Sequence, residues 1–298
     1  MALRPLSRSQ SHRPLREVPL KNSGDASTDE KNPADDGEAT KPAETILRQE
    51  IEIGEEQLER NAPGLLLSAV SAGLDVGFGP LMVASVLAAN PSETLGSRLI
   101  SAVAYAIGFI IVIVGRSELF TEHTTLAILP LLSGRTTVSR VARLWSLVFV
   151  GNIVGATGFA AAAAPLGISL GLFQATDVGR MSHQLTDFRA VVIFGSGVAA
   201  GWLMGLVSWL VTAARETMAQ ILIILLVAGA ISFLHLHHSI AGSVEVLMGV
   251  FVAGVPFADY LRFLGLATVG NAVGGLVFVG LVKYGHIMAS DTTQPQHG

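Results

Sequence analysis

The chain has 298 residues, 50% of them hydrophobic and only 14% charged, with 32 glycines and a mean hydropathy of +0.55. That balance excludes an ordinary soluble domain and describes a membrane protein. A net charge of -4 with no basic patch gives nucleic-acid binding no footing, and the lack of cysteine removes disulfides, thiol catalysis and thiolate metal sites.

Residues 1–44 are rich in Ser, Pro, Asp, Glu and Lys and contain no apolar signal core, so they are expected to form a disordered cytoplasmic tail. Residues 45–61, which include RQEIEIGEEQLER, are expected to form a charged helix ahead of the membrane. A spanning helix needs about 20 mostly apolar residues. Six later segments reach that length, at roughly 63–89, 99–132, 144–175, 190–214, 218–257 and 260–285. The transmembrane domain is therefore expected over 62–288, with 289–298 as a C-terminal tail. Two of the six spans are too long and are interrupted. GRSELFTEHTT (115–125) cuts the second and HLHHS (235–239) cuts the fifth. Backbone leaves the helix inside a bilayer only where protein buries it or where it lines a wet cavity, so both breaks are candidate permeation sites.

Basic residues set the orientation. Arg48 and Arg60 precede the first span, Arg135, Arg140 and Arg143 follow the second, Arg215 follows the fourth and Lys283 lies near the end. The opposite links carry Arg98, then Arg180 and Arg189, then Arg262. The positive-inside bias puts both termini in the cytoplasm, as an even number of spans requires. The expected location is a bacterial cytoplasmic (inner) membrane.

An internal repeat organises the spans. The third contains VGNIVGATGF (150–159) and the sixth VGNAVGGLVF (269–278), and each follows a broken span at a matching interval. Three spans per half force the second copy to enter the membrane the other way up. The expected fold is an all-α membrane protein of six helices, built as two inverted three-helix repeats at about 62–166 and 185–288. Recurring Gly-Asn and small residues also serve close helix packing, which is the plainer reading of the same motif.

Together, SELFTEHT, VGNIVGA, HHSIAG and VGNAVGG resemble the four signature regions of the formate/nitrite transporter family, in order and at similar spacing over about residues 60–288. The resemblance implies an aquaporin-like protomer, a homopentamer embedded in lipid, and one pathway per protomer for formate, nitrite or similar small monovalent anions. It assigns Leu119, Phe120 and Thr121 to the loop that breaks the second helix, and His238 to the centre of the pathway. Tyr105 and Phe109 fall on apolar positions that help form its constrictions, and Asn271 on the sixth-helix asparagine near it. An apolar ring that stops hydrated ions, with one polar site that recognises a small acid, makes physical sense of this set. The amide N–H groups at the half-helix ends are expected to add an anion-friendly potential.

The chain also departs from the pattern. No lysine occurs in GRMSHQLTDFRA (179–190), where the family carries one that helps attract the anion; Arg180 or His183 replaces it in charge only. Gly201 and Gly242 stand where asparagines are expected, Arg116 precedes the loop and Asp75 interrupts the first span. These differences describe an outlying branch. They keep open an alternative in which the same fold conducts a small neutral solute or another short monocarboxylate. Arg116 reads either as an anion lure or as an interfacial anchor, and Asp75 either as a paired residue or as a pathway residue. Glu118 and Glu122 read as groups that cap or salt-link the loop, and His235 and His237 as packed or interfacial residues. No metal, cofactor or enzymatic reaction is expected, because the sequence holds neither a nucleophile–base pair nor a three-ligand set at workable spacing.

Overall fold

The computed structural model of the protein describes residues 41–92 and 94–291. The tail expected at 1–44 lies outside these residues up to residue 40, as does the C-terminal tail from residue 292. Among the described residues every regular element is a helix: α1 (Ala43–Glu59), α2 (Ala62–Asp75), α3 (Phe78–Ala89), α4 (Leu95–Val114), α5 (Phe120–Leu126), α6 (Ile128–Leu132) and α7 (Val138–Ser169). These are followed by α8 (Ala175–Thr186), α9 (Ala190–Ala213), α10 (Thr217–Phe233), α11 (Ser239–Val252), α12 (Phe257–Gly274), a π-helical segment over Gly275–Leu281, and α13 (Val282–Asp291).

Five stretches are long and apolar enough to cross a membrane: Ala62–Ala89, Leu95–Val114, Val138–Ser169, Ala190–Ala213 and Phe257–Ile287. The protein is an integral membrane protein. The fifth apolar segment in chain order is divided between α10 and α11, of 17 and 14 residues, and neither half alone reaches the spanning length. The link expected between the third and fourth spans holds a helix of its own, α8.

Packing is pairwise. α2 lies on α7, α9 on α12 and α4 on α10. Small residues permit the approach: a Cβ on Gly155 would stand 2.2 Å from the Val70 carbonyl oxygen, and one on Gly274 2.1 Å from that of Val198. Helices in lipid associate through such close packing because burial of apolar surface offers little between apolar phases.

The breaks have a common backbone construction. α4 ends at Gly115, Arg116 adopts φ 58°, and the Ser117 and Arg116 amides return to the carbonyls of Val112 and Ile113 at 3.0 and 3.2 Å. α10 ends at Leu234, His235 adopts φ 51°, and the Leu236 and His235 amides return to Ile231 and Ser232 at 2.9 and 3.0 Å. Both are Schellman motifs, which satisfy the last carbonyls of a helix. The left-handed residue is usually glycine, and a side chain there costs on the order of 1–2 kcal/mol. At the first break it is Arg116, whose positive charge faces the negative end of α4 and offsets part of that cost.

Candidate functional site

Each break is clamped by the asparagine of its Gly-Asn motif. Asn152 accepts from the Phe120 amide at 2.8 Å and donates to the Ala69 and Glu118 carbonyls, both at 2.8 Å. Asn271 accepts from the Ser239 amide at 2.8 Å and donates to Gly197 at 2.8 Å and His237 at 2.9 Å. Both side chains are fully buried. A carboxamide carries an acceptor and two donor hydrogens, which suits a place where a helix stops and restarts with backbone groups facing opposite ways. The role of Asn271 is thereby visible: both ends of its carboxamide hold backbone.

The second half-helices start at a shared point. Thr121 Oγ1, on the first turn of α5, lies 2.9 Å from His238 Nε2, and both residues are buried. His238 is the N-cap of α11, and its Nδ1 accepts from the Ile240 and Ala241 amides at 3.3 and 3.2 Å. With Nδ1 the acceptor, the ring hydrogen is on Nε2 and is donated to Thr121 Oγ1. The threonine hydroxyl keeps its own hydrogen for another acceptor. The expectation that free amides at the half-helix ends draw in an anion is not met on α11. Its first three amides are taken by Asn271 and His238, because buried donors must be satisfied inside the protein.

Phe109 stands edge-on to the His238 ring with centroids 5.0 Å apart, and Tyr105 lies 5.2 Å beyond Phe109. Leu119, fully buried, precedes α5 as its N-cap. Of these residues Phe109 meets His238 directly and Tyr105 reaches it through Phe109, while Leu119 stands two residues before Thr121 in the chain. Phe120 differs: its ring meets Phe149 and Trp145 of α7, at 5.1 and 6.2 Å, so it packs against a neighbouring helix.

Cavities lie at opposite ends of α4. The larger, about 590 Å³, is lined by Glu50, Arg116, Glu118, Glu122, His123 and Thr212 among others. Helix α1 forms one of its walls. The carboxylate of Glu50, fully buried, accepts from Ser208 Oγ at 3.0 Å and from Thr212 Oγ1, and burial pushes its pKa up to about 7 against the pull of those two hydroxyls. Lys41 Nζ donates to the Thr212 carbonyl at 2.7 Å, and Arg60 pairs with Glu118, which also holds His123. Asp75 accepts from Ser71 at 3.0 Å and from Ser117, in the first break, at 3.5 Å.

The smaller cavity, about 40 Å³, is lined by residues including Arg98, Ser101, Tyr105, Gln184, His235 and Glu245. The other cations considered for anion recruitment are placed elsewhere. Arg180 spends its guanidinium on the carbonyls of Leu87 and Pro91, at 2.9 and 3.2 Å, and on Asp177, while the exposed His183 faces Asp187 at 3.1 Å. Neither is among the residues lining the two cavities. Arg116 lines the larger one. His237 is buried between Ser196 Oγ, 2.8 Å from its Nδ1, and the Leu185 carbonyl, 3.0 Å from its Nε2. In the sequence Arg98 reads only as a link charge and Glu245 has no role; the signal was an ionisable residue at the edge of an apolar segment for Arg98 and inside one for Glu245.

The glycines at the departures have a packing reason. A Cβ on Gly201 would fall 2.0 Å from the Asn271 carbonyl oxygen, and one on Gly242 2.5 Å from the Phe263 ring. An asparagine has no room at either place.

Comparison with known proteins agrees with this geometry. The sequence profile described as formate/nitrite transporter matches residues 44–285. Inner membrane protein YfdC of Escherichia coli K12 is 33% identical over 237 residues, covering 78% of this chain and 75% of its own. Formate channel FocA of Haemophilus influenzae is 22% identical over 73% of this chain and 84% of its own. Of solved structures, an FNT family ion channel superposes with a TM-score of 0.70 at 24% identity, over 83% of this chain and 98% of that one. A pentameric formate channel with formate bound superposes with a TM-score of 0.62 at 21% identity, over 76% and 98%. On this sequence match and this fold, the chain belongs to the formate/nitrite transporter family.

Proposed function

We propose that the protein conducts small monovalent weak-acid anions such as formate or nitrite through each protomer of a homopentamer in a bacterial cytoplasmic membrane, with both termini in the cytoplasm. The observation that carries this reading is the Thr121–His238 hydrogen bond, buried where the two breaks meet and flanked by Leu119 and Phe109. The two asparagine clamps hold the same atoms of equivalent breaks, which supports an inverted three-helix repeat of aquaporin-like form. The pentamer rests on likeness to a pentameric formate channel.

The arrangement favours hydrogen bonding over proton storage at His238. Both ring nitrogens are engaged, so the imidazole has no open lone pair, and the Thr121 hydroxyl is the donor offered to a passing oxyanion. An anion that sheds water in the apolar constriction regains one hydrogen bond there, which lowers the desolvation cost of crossing.

A neutral solute or another short monocarboxylate is the second reading. The neutral solute is favoured by the lining of the larger cavity, where Glu50, Glu52, Glu56, Glu118 and Glu122 outnumber Lys41 and Arg116. Flux through proteoliposomes decides between them, with formate, nitrite, acetate, lactate and water compared at several pH values. Saturable formate or nitrite flux that is lost or altered in His238→Ala supports the first reading, while water flux alone overturns it. A stable monomer in mild detergent would remove the pentamer.

A further inference from the structure

We propose that Arg98 and Ser101, on the first two turns of α4, form the anion-receiving site of the smaller cavity. This rests on the reading of the protein as an anion pathway. Four side chains of α4 carry the argument. Arg98, Ser101, Tyr105 and Phe109 recur at helical spacing, so they share one face of α4. The first three line the cavity, and the fourth touches His238. The stripe thus runs from a charged group, through a hydroxyl and a phenol, to the apolar ring beside the central histidine.

The guanidinium of Arg98 is held in place. Its Nη2 donates to the Phe233 carbonyl at 2.6 Å, and its Cζ sits 4.7 Å over the Phe233 ring. Its Nε, however, is buried without a hydrogen-bond partner in the protein, and so is the Ser101 hydroxyl. Each buried donor left unmade costs on the order of 1–3 kcal/mol, more for a charged group, so two of them one helical turn apart are expected to have an acceptor. A small oxyanion supplies it, with one oxygen toward Nε–H and the other toward the hydroxyl.

The walls limit what that anion is. A cavity of about 40 Å³ admits a species of a few atoms. Glu245 lines the same cavity from α11. By size the site fits a small carboxylate or nitrite better than a tetrahedral oxyanion such as sulfate. Arg180 also has a buried Nε without a hydrogen-bond partner, but neither it nor His183 lines this cavity, which leaves the role to Arg98.

The test is formate flux into proteoliposomes of the full chain, with substrate presented to each face in turn. Arg98→Gln is expected to raise the half-saturating formate concentration at the face carrying the small cavity roughly tenfold, as loss of one charge-assisted hydrogen bond implies. Its maximal rate should stay within about twofold, since the central pair is untouched. Arg98→Lys should recover part of the loss, and Ser101→Ala should raise the same concentration about threefold. Water permeability should not change, because a merely structural role for Arg98 would alter both fluxes. Wild-type half-saturation in an assembled Arg98→Gln, or formate and water fluxes falling together at both faces, overturns the proposal. If Arg98→Gln does not assemble, Ser101→Ala decides alone, and an unchanged value overturns it. Failure of wild-type protein to carry formate or nitrite sinks the underlying reading, and this site with it.

Discussion

The first break, Gly115–Leu119, and the second, Leu234–His238, answer one backbone problem in one way and then differ in side-chain chemistry. Each has a basic residue in the left-handed conformation and an asparagine from a partner helix that holds the restarting chain. Around the first break the neighbours are charged, with Glu118 joined to Arg60 and His123. Around the second, Arg98 reaches the Phe233 carbonyl at the end of α10, His237 lies between Ser196 and Leu185, and His238 caps α11. Backbone satisfaction is therefore the shared constraint, because neither amide nor carbonyl has water to turn to. The surrounding groups were free to diverge, and they tune what each break faces.

The largest expected effect breaks the shared part. Asn152→Leu and Asn271→Leu each strip partners from three buried backbone groups, a loss of several kcal/mol at about 1–3 kcal/mol per group. Both variants should lose assembled protein to a similar degree, read by size exclusion and thermal unfolding in detergent. A sharp difference between them would mean that the two clamps are not equivalent.

Next is the unequal part, the aromatic lining. Phe120→Ala removes a ring packed on Phe149 and Trp145 and is expected to destabilise by about 3 kcal/mol, with selectivity changing little. Phe109→Ala removes the ring against His238 and is expected to raise flux or relax selectivity among formate, acetate and lactate. The pair of flux assays with matching melting curves separates a gate from a packing residue. An increase in flux for Phe120→Ala alone would return the gate to the loop.

A smaller effect concerns α1, which lines the cavity beside the first break. The folded pKa of Glu50, about 7, is above the usual carboxylate value near 4.5, so the folded protein holds a proton that the unfolded chain releases. The stability it contributes is complete below about pH 4.5 and declines as pH rises to about 7. Melting temperatures of wild type should fall across that window, and Glu50→Gln should flatten the slope. An identical slope in the variant would remove Glu50 as its source.

The smallest expected change is Arg116→Gly. Glycine relieves the left-handed strain while losing the charge at the end of α4, and the two differ by about 1 kcal/mol or less. A melting point shifted by more than a few degrees would show that Arg116 holds something beyond the helix end.

Much of this was legible in the sequence because it follows from length and polarity. Apolar runs of spanning length and the polar interruptions at 115–125 and 235–239 fix an all-helical membrane protein with divided helices, since a bilayer permits few alternatives. The Gly-Asn motifs were visible as repeats, yet their function as clamps was not, because hydrogen-bond partners such as Glu118 and Asn152 are far apart in the chain. Tertiary structure alone decided which aromatic ring meets His238, since Phe109 and Phe120 have equal apolar character and differ only in the helix they face. It also decided that Arg98 lines a cavity while Arg180 does not. A single arginine beside an apolar segment reads the same in both cases, and only the packing of α4 against α10 determines where the Arg98 guanidinium is held.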